Sequence, residues 1–272
     1  MVRILEKKRK GLAMKLKDTI HFNWYKHLFI VLVIGLCVTA SAAVTEADIL
    51  DVLGNLEQMS GFLSRFLRPD FAYIPKLIGP MISTLQMSVT GTALGVLFAV
   101  PVAFLGTTVV TGNRLVTSAI RFFLDIVRTI PNLLLAALMV AIVGIGEFTG
   151  VMTIAVFTFG LVSQLVYEAI EAIDEGPIEA AVSVGANKVQ VAFWSVAPQI
   201  MSQVAGYTFY ALEVNVRASA VLGYVGAGGI GIILNSSLAL LQYDRVSVII
   251  LLILAVVAAV DGLSEAIRRR LA

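Results

Sequence analysis

With 272 residues, 58% of them hydrophobic and only 14% charged, and a mean hydropathy of +0.92, the chain has more apolar side chains than one water-facing globule can hide. It reads as an all-α membrane protein. The single cysteine, Cys37, excludes an internal disulfide framework, and the net charge of +2 says little until its distribution is followed along the chain.

Residues 1–27 hold eight of the twenty basic residues (Arg3, Lys7, Lys8, Arg9, Lys10, Lys15, Lys17 and Lys26) against Glu6 and Asp18. Beside an apolar run such a tail reads as a cytoplasmic membrane anchor, not a nucleic-acid arm. The run from Leu28 to Val44 is long for a signal-peptide core, although Ser41-Ala42-Ala43 is rich in small residues, so residues 28–45 are expected to be a retained first span. Residues 46–80 form a polar connection. Its apolar positions Ile49, Leu50, Leu53, Leu56, Phe62, Leu63 and Phe66 recur at helical spacing, which fits either surface helices or a packed external loop.

Residues 81–265 read as the core of the protein. A second span, about 82–105, is rich in Ser, Thr and Gly and suits close helix packing. A third, about 120–143, is entered through Arg121, Asp125 and Arg128 and should kink or open at Pro131. Asp125 and Arg128, three residues apart, read as an interfacial pair. Gly144 to Gly150 reads as a tight turn, and spans four, five and six are expected at about 151–167, 198–221 and 246–263. Residues 266–272, with Arg268, Arg269 and Arg270, form a basic tail. Six spans place both termini on one side. About fifteen basic residues fall there and about five on the other, so both tails and the acidic stretch 168–198 are expected to be cytoplasmic.

No arrangement for catalysis appears, and no metal-ligating set. His21 and His27 lie in or beside the basic tail, no G-x-x-x-x-G-K-[ST] segment is present, and no Cys/His cluster has metal spacing. Gly226, Gly228 and Gly231 follow no strand and lie in an apolar segment, so they are not a dinucleotide fingerprint. Together with Gly229 they suit a non-helical, close-packed turn, readable as a gate or as tight helix packing. Glu213, Asn215, Arg217 and Ser219 form a polar group inside span five. Ionisable groups in a span cost about 2.5–3.5 kcal/mol each on insertion scales, so they face a cavity or one another. Glu213 and Arg217, at i and i+4, fit an intrahelical ion pair; equally, Arg217 fits a path residue offering a positive field to an anion, with Asn215 and Ser219 as neutral donors.

The stretch 167–198 is polar between two apolar segments, with Glu168, Glu171, Asp174, Glu175 and Glu179 against Lys188 alone. Glu179-Ala180-Ala181, then Gly185, then Pro198, has a spacing that resembles the EAA loop of ABC importer permeases. Ser195 and Ala197 stand where that family usually has isoleucine and leucine. IDEGPIEA (173–180), and Glu213, Asn215 and Arg217 followed by VLGYVGAGGIG (221–231), look like the phosphonate-type importer permeases, over about the last two thirds of the chain.

The resemblance implies a type I ABC importer (MetI-like) permease fold of about six transmembrane helices in the cell inner membrane. It implies a homodimer that binds two cytosolic ATPase subunits through Glu179, Ala180, Ala181, Gly185 and Pro198, and that receives solute from an extracytoplasmic binding protein. ATP and Mg2+ would then sit on the ATPase, with no cofactor on this chain, and the solute would be a phosphonate or a related oxyanion such as phosphite or a phosphate ester. An importer permease for another solute such as methionine, or a membrane scaffold that recruits a regulatory protein, are the alternatives.

Overall fold

A chain with this much apolar surface must satisfy its backbone polar groups internally wherever it meets lipid, and helices do so within one segment. The computed structural model describes residues 24–45 and 54–271, and every regular element there is helical. Expectations for the basic tail up to residue 23, and for Ile49, Leu50 and Leu53, lie outside the described residues. The chain divides into two units between Gly61 and Phe62.

In the first unit α1 spans Trp24–Val44, with 21 residues, a mean hydropathy of 2.4 over its most apolar 18 residues and no buried side chain. A helix that is apolar on every face suits a lipid-covered span. α2 (Leu56–Phe66) runs across the division. Within the second unit Phe62 meets the Tyr243 ring edge-on, with centroids 4.7 Å apart.

The second unit continues through a 3-10 turn, Phe71–Tyr73, whose Ala72 N–H donates to Asp70 Oδ1 at 3.1 Å. α3 covers Ile74–Leu105, 32 residues or about 48 Å. The connection expected to reach residue 80 therefore ends at Tyr73. Pro75 lies in the first turn, where its missing N–H costs nothing, and Leu77 and Met81 are already buried. After the short α4 (Thr108–Thr111) come α5 (Arg114–Thr129) and α6 (Asn132–Val143), which meet at 91°. The third span is thus not one kinked helix. Ile130 precedes a proline and is pushed to ψ 119°, and Pro131 itself takes ψ 141°. At about 18 Å, α6 alone is shorter than a bilayer core.

α7 (Glu147–Glu171) follows a break at Gly144 to Gly146, where Gly144 and Gly146 have φ of +99° and +145°. The turn expected to reach Gly150 is shorter, because Gly150 already lies inside α7. α8 (Gly176–Ser183) and α9 (Lys188–Val191) lead through one π-helical turn, Ala192–Val196, into α10 (Ala197–Leu222). A 3-10 turn, Gly223–Val225, separates α10 from α11 (Ile230–Ala239), with a 50° bend across the α9–α11 segment. α12 (Tyr243–Leu271) completes the described chain. Among the described residues, four helices are long and apolar enough to cross a membrane, or up to six if each bent pair is one span.

α3, α7 and α10 form the central trio. α3 and α7 lie against each other so closely that a Cβ at Gly91 would meet Ile154 Cγ2 at 2.6 Å, and one at Gly95 would meet Ala155 O at 2.7 Å. Hydrogen bonds define the two ends of the bundle. At one, Lys188 Nζ donates to Thr111 O at 2.6 Å and Arg121 pairs with Glu171. At the other, Gly146 N–H donates to Gly226 O at 3.0 Å and Asp70 N–H to Asp244 O at 3.2 Å.

Candidate functional site

The acidic stretch folds into a rigid two-helix element at the first end of the bundle. α8 starts with Pro177 in its first turn and stops at Gly185, whose φ of +86° is a conformation glycine takes at no cost. The stop satisfies the last carbonyls: Gly185 N–H donates to Val182 O at 2.9 Å and Ala186 N–H to Ala181 O at 3.0 Å, the Schellman pattern. Asn187 then caps α9 reciprocally, its Oδ1 accepting from Gln190 N at 2.9 Å while Gln190 Oε1 accepts from Asn187 N at 2.8 Å.

The element is anchored from beneath. Val191, Val196 and Ile200 are buried in a core with Leu124, Val162, Val166 and Ile170, and Ile178, Ala181 and Ala186 pack on it half-buried. Ser195 is buried and its Oγ donates to Pro177 O at 3.1 Å. The residue that departs from the family pattern is therefore a tie between the start of α8 and the base of α10. Glu179, Ala180, Gly185 and Pro198 are exposed, with Val182 and Val184 beside them, whereas Ala181 turns towards the protein's own core. Of the two alanines only Ala180 is therefore open to a partner, one residue being 100° round the helix from the next.

Arg121 stacks on the Tyr167 ring, 4.7 Å from its centroid, pairs with Glu171, and donates through Nε to Gly106 O at 2.8 Å. It joins α5 to the end of α7 just where the two-helix element begins. The expected Asp125–Arg128 pair is not among the ion pairs of the described residues. Arg121 takes its partner from another helix instead.

The four polar residues of span five fall on two faces of α10. Glu213 and Arg217 are paired, and Arg217 Nη2 also reaches Asp261 Oδ2 on α12 at 3.4 Å, while Arg268 Nη2 reaches Glu213 Oε2 at 3.3 Å. Two acids and two bases thus alternate along one strip. Asn215 and Ser219 are each 1% exposed on the opposite face. Asn215 Nδ2 donates to Thr92 Oγ1 at 2.8 Å and Thr158 Oγ1 at 2.7 Å, and Ser88 Oγ donates to Ser219 Oγ at 3.2 Å. One amide therefore fastens α10 to both α3 and α7. Helical rotation explains the split, since residues two apart point about 200° away from each other.

The glycine segment is a packed turn at the second end. Gly226, Gly228 and Gly229 have φ of +87°, +92° and +71°. Gly231 has no room for a side chain, as a Cβ there would lie 2.2 Å from Ala220 O. Ile230 N–H donates to Thr84 Oγ1 at 2.8 Å, so α3 holds the turn from the other side.

Sequence reasoning passed over Asp261 and Arg268, and over the hydroxyls Thr84, Ser88, Thr92 and Thr158. A signal for the first was present: Asp261 is a lone acid inside a very apolar run. For the hydroxyls there was only the Ser/Thr richness of span two.

Long spans, broken helix pairs and an exposed acidic two-helix element between two spans define a permease of the importer type. The fold agrees with that of solved transporters. The chain superposes on a chain of the MetNI methionine ABC transporter, in an inward-facing conformation, with a TM-score of 0.64 at 22% identity, covering 75% of this chain and 99% of that one. On a chain of a bacterial ABC transporter that imports alginate the TM-score is 0.57 at 16% identity, over 91% of this chain and 99% of that one. Residues 91–272 match the family described as the binding-protein-dependent transport system inner membrane component. Among curated proteins, the phosphite transport system permease protein PtxC of Stutzerimonas stutzeri is 38% identical over 91% of this chain and 90% of its own length. The phosphate-import permease protein PhnE of Mycolicibacterium smegmatis is 35% identical over 78% of this chain and 40% of its own length. The chain belongs to the binding-protein-dependent transport inner-membrane family: it is a multi-pass membrane permease component, not the ATPase.

Proposed function

We propose that this permease works as a homodimer that binds two cytosolic ATPase subunits through α8 and α9, and that it imports a phosphorus oxyanion (phosphite, a phosphonate or phosphate) delivered by an extracytoplasmic binding protein. The observation that carries the reading is the exposed, internally braced α8–α9 element, with Glu179 exposed beside Val182 and Val184. An acid beside bare apolar surface suits a partner that offers arginine or lysine next to an apolar patch. The names of the relatives above support the solute class, and Arg217, half exposed within a span, suits an anion.

In this reading both termini are cytoplasmic, and ATP with Mg2+ is held by the ATPase. ATP binding rocks the two docking elements, and the spans above them switch between outward- and inward-facing states. Glu213 and Arg217 border the path, Asn215 and Ser219 hold α10 behind it, and the turn of Gly226, Gly228, Gly229 and Gly231 closes its outer end. The test is ATP hydrolysis by the complex reconstituted in lipid with its ATPase and binding protein. Phosphite, methylphosphonate, phosphate and methionine are each added in turn. Stimulation by a phosphorus compound is expected; stimulation by methionine alone, or no response to any of them, removes the solute class.

A further inference from the structure

Among the described residues, α12 holds the most apolar 18-residue stretch of the four long helices, with a mean hydropathy of 2.8, yet it carries Asp261 about five turns from its start. A carboxylate so placed needs a counter-charge, and Arg217 is the one it reaches. The strip of Glu213, Arg217, Asp261 and Arg268 is electrically balanced, but its members are not held alike. Glu213 is the least exposed, its side chain 16% accessible, and each of its oxygens meets a different guanidinium. Among the described residues Asp261 has one ion-pair contact, at 3.4 Å, longer than the usual 2.7–3.2 Å of a hydrogen bond, and its other oxygen, Oδ1, is buried with no donor. Arg217 is 50% exposed, so one side of its guanidinium is open. The weakest contact in the strip is thus the one between Asp261 and an accessible arginine.

Building on the phosphorus-oxyanion reading, we propose that Asp261 is an internal competitor for the transported anion. In the empty protein its carboxylate helps to compensate Arg217, and the arriving oxyanion displaces it. The exchange favours the solute in contact geometry, because a phosphorus oxyanion presents several oxygens to a guanidinium that bonds two side by side, whereas Asp261 offers one at long range. It disfavours retention, because the displaced carboxylate stays beside the anion and repels it. A path must hold its cargo weakly enough to let go, and Asp261 supplies the repulsion that ensures this. It acts as a positioning residue on Arg217, not as a contact of the solute.

The test uses the full permease assembled with its ATPase in lipid, as Asp261→Asn, Arg217→Ala and the double variant. Three quantities are read: co-purification of the ATPase, equilibrium binding of labelled phosphite without the binding protein, and uptake with it. Asp261→Asn is expected to assemble, to bind phosphite at least about tenfold more tightly, since a like charge has gone, and to lower the maximal uptake rate. The double variant, which removes one charge of each sign, is expected to assemble and neither to bind nor to transport. Unchanged binding in Asp261→Asn overturns the proposal, as does a double variant that transports like the wild type, because the pair then only fastens α10 to α12. Should Asp261→Asn not assemble, the double variant decides by the same criteria, and failure of both overturns the proposal. A wild type that responds to phosphite, methylphosphonate or phosphate while the variants fail these expectations removes the proposal alone; a wild type that responds to none removes the solute reading together with it.

Discussion

Ser195 donates its hydroxyl hydrogen bond to the carbonyl of Pro177 at 3.1 Å, joining the base of α10 to the first turn of α8 across eighteen residues of chain. Because the hydroxyl is buried, water does not replace the bond easily when it is lost. Ser195→Ala removes a net interaction of about 1 kcal/mol, a factor of about five in how firmly α8 is held. The expected outcome is an assembled complex that spends severalfold more ATP per solute imported. Measuring uptake and hydrolysis in the same proteoliposomes checks it, and an unchanged ratio means that the tie does not transmit movement.

Glu179 is exposed in the first turn of α8 and has no ion-pair partner among the described residues. Its substitution therefore spares the fold. Glu179→Lys should leave the amount of protein in the membrane unchanged while at least tenfold less ATPase co-purifies, because like charges at the contact cost several kcal/mol. Undiminished co-purification would remove the docking role of α8.

Asn215 makes two buried interhelical hydrogen bonds, each worth about 0.6–1.7 kcal/mol in a membrane setting. Asn215→Ala should destabilise the α3–α7–α10 trio by about 1–3 kcal/mol. This is visible as a lower unfolding midpoint in detergent, with ATPase co-purification retained below that temperature. A midpoint equal to that of the wild type would mean that Thr92 and Thr158 find other partners without cost.

Two glycines predict opposite signs. A Cβ at Gly231 would lie 2.2 Å from the Ala220 carbonyl oxygen, so Gly231→Ala must push α11 away from α10, at about 1–3 kcal/mol. Gly206, inside α10, has nothing within 4 Å of the corresponding position. Gly206→Ala should raise stability by up to about 1 kcal/mol through helix propensity. Thermal unfolding of the two variants side by side tests this, and equal shifts would contradict the packed turn.

Much of this was legible in the sequence, for physical reasons. Apolar runs of bilayer length announce spans regardless of context, and Gly185 and Pro177 mark the ends of α8 through local backbone chemistry alone. The Glu213–Arg217 pair follows from helical spacing, one of two readings that the spacing allowed. Other features depend on what lies across an interface. Whether Ile130 and Pro131 kink a helix or turn the chain by 91° depends on what α5 packs against, and Arg121 holds it to Tyr167 and Glu171 of α7. Ser195 looked like a weakened motif position because its acceptor is a carbonyl, and carbonyls have no signature in a sequence. Asn215 and Ser219 were grouped with Arg217 by proximity along the chain, although the 100° step of a helix already separated them.

The π-helical turn at Ala192–Val196, closed by the Ala197 N–H on the Ala192 carbonyl, takes in one residue more than an α-helical turn would. That extra residue sets the rotational phase of everything above it. Were the turn to relax to α-helix with its number of residues unchanged, α10 would rotate by about 100° relative to the α8–α9 element. Asn215 would leave its two threonines, Arg217 would swing away from Asp261, and a part of the chain with no charge of its own would have disconnected the α8–α9 element from the helices above it. The turn works as a keyway: it fixes which face of α10 is presented when the element below is moved.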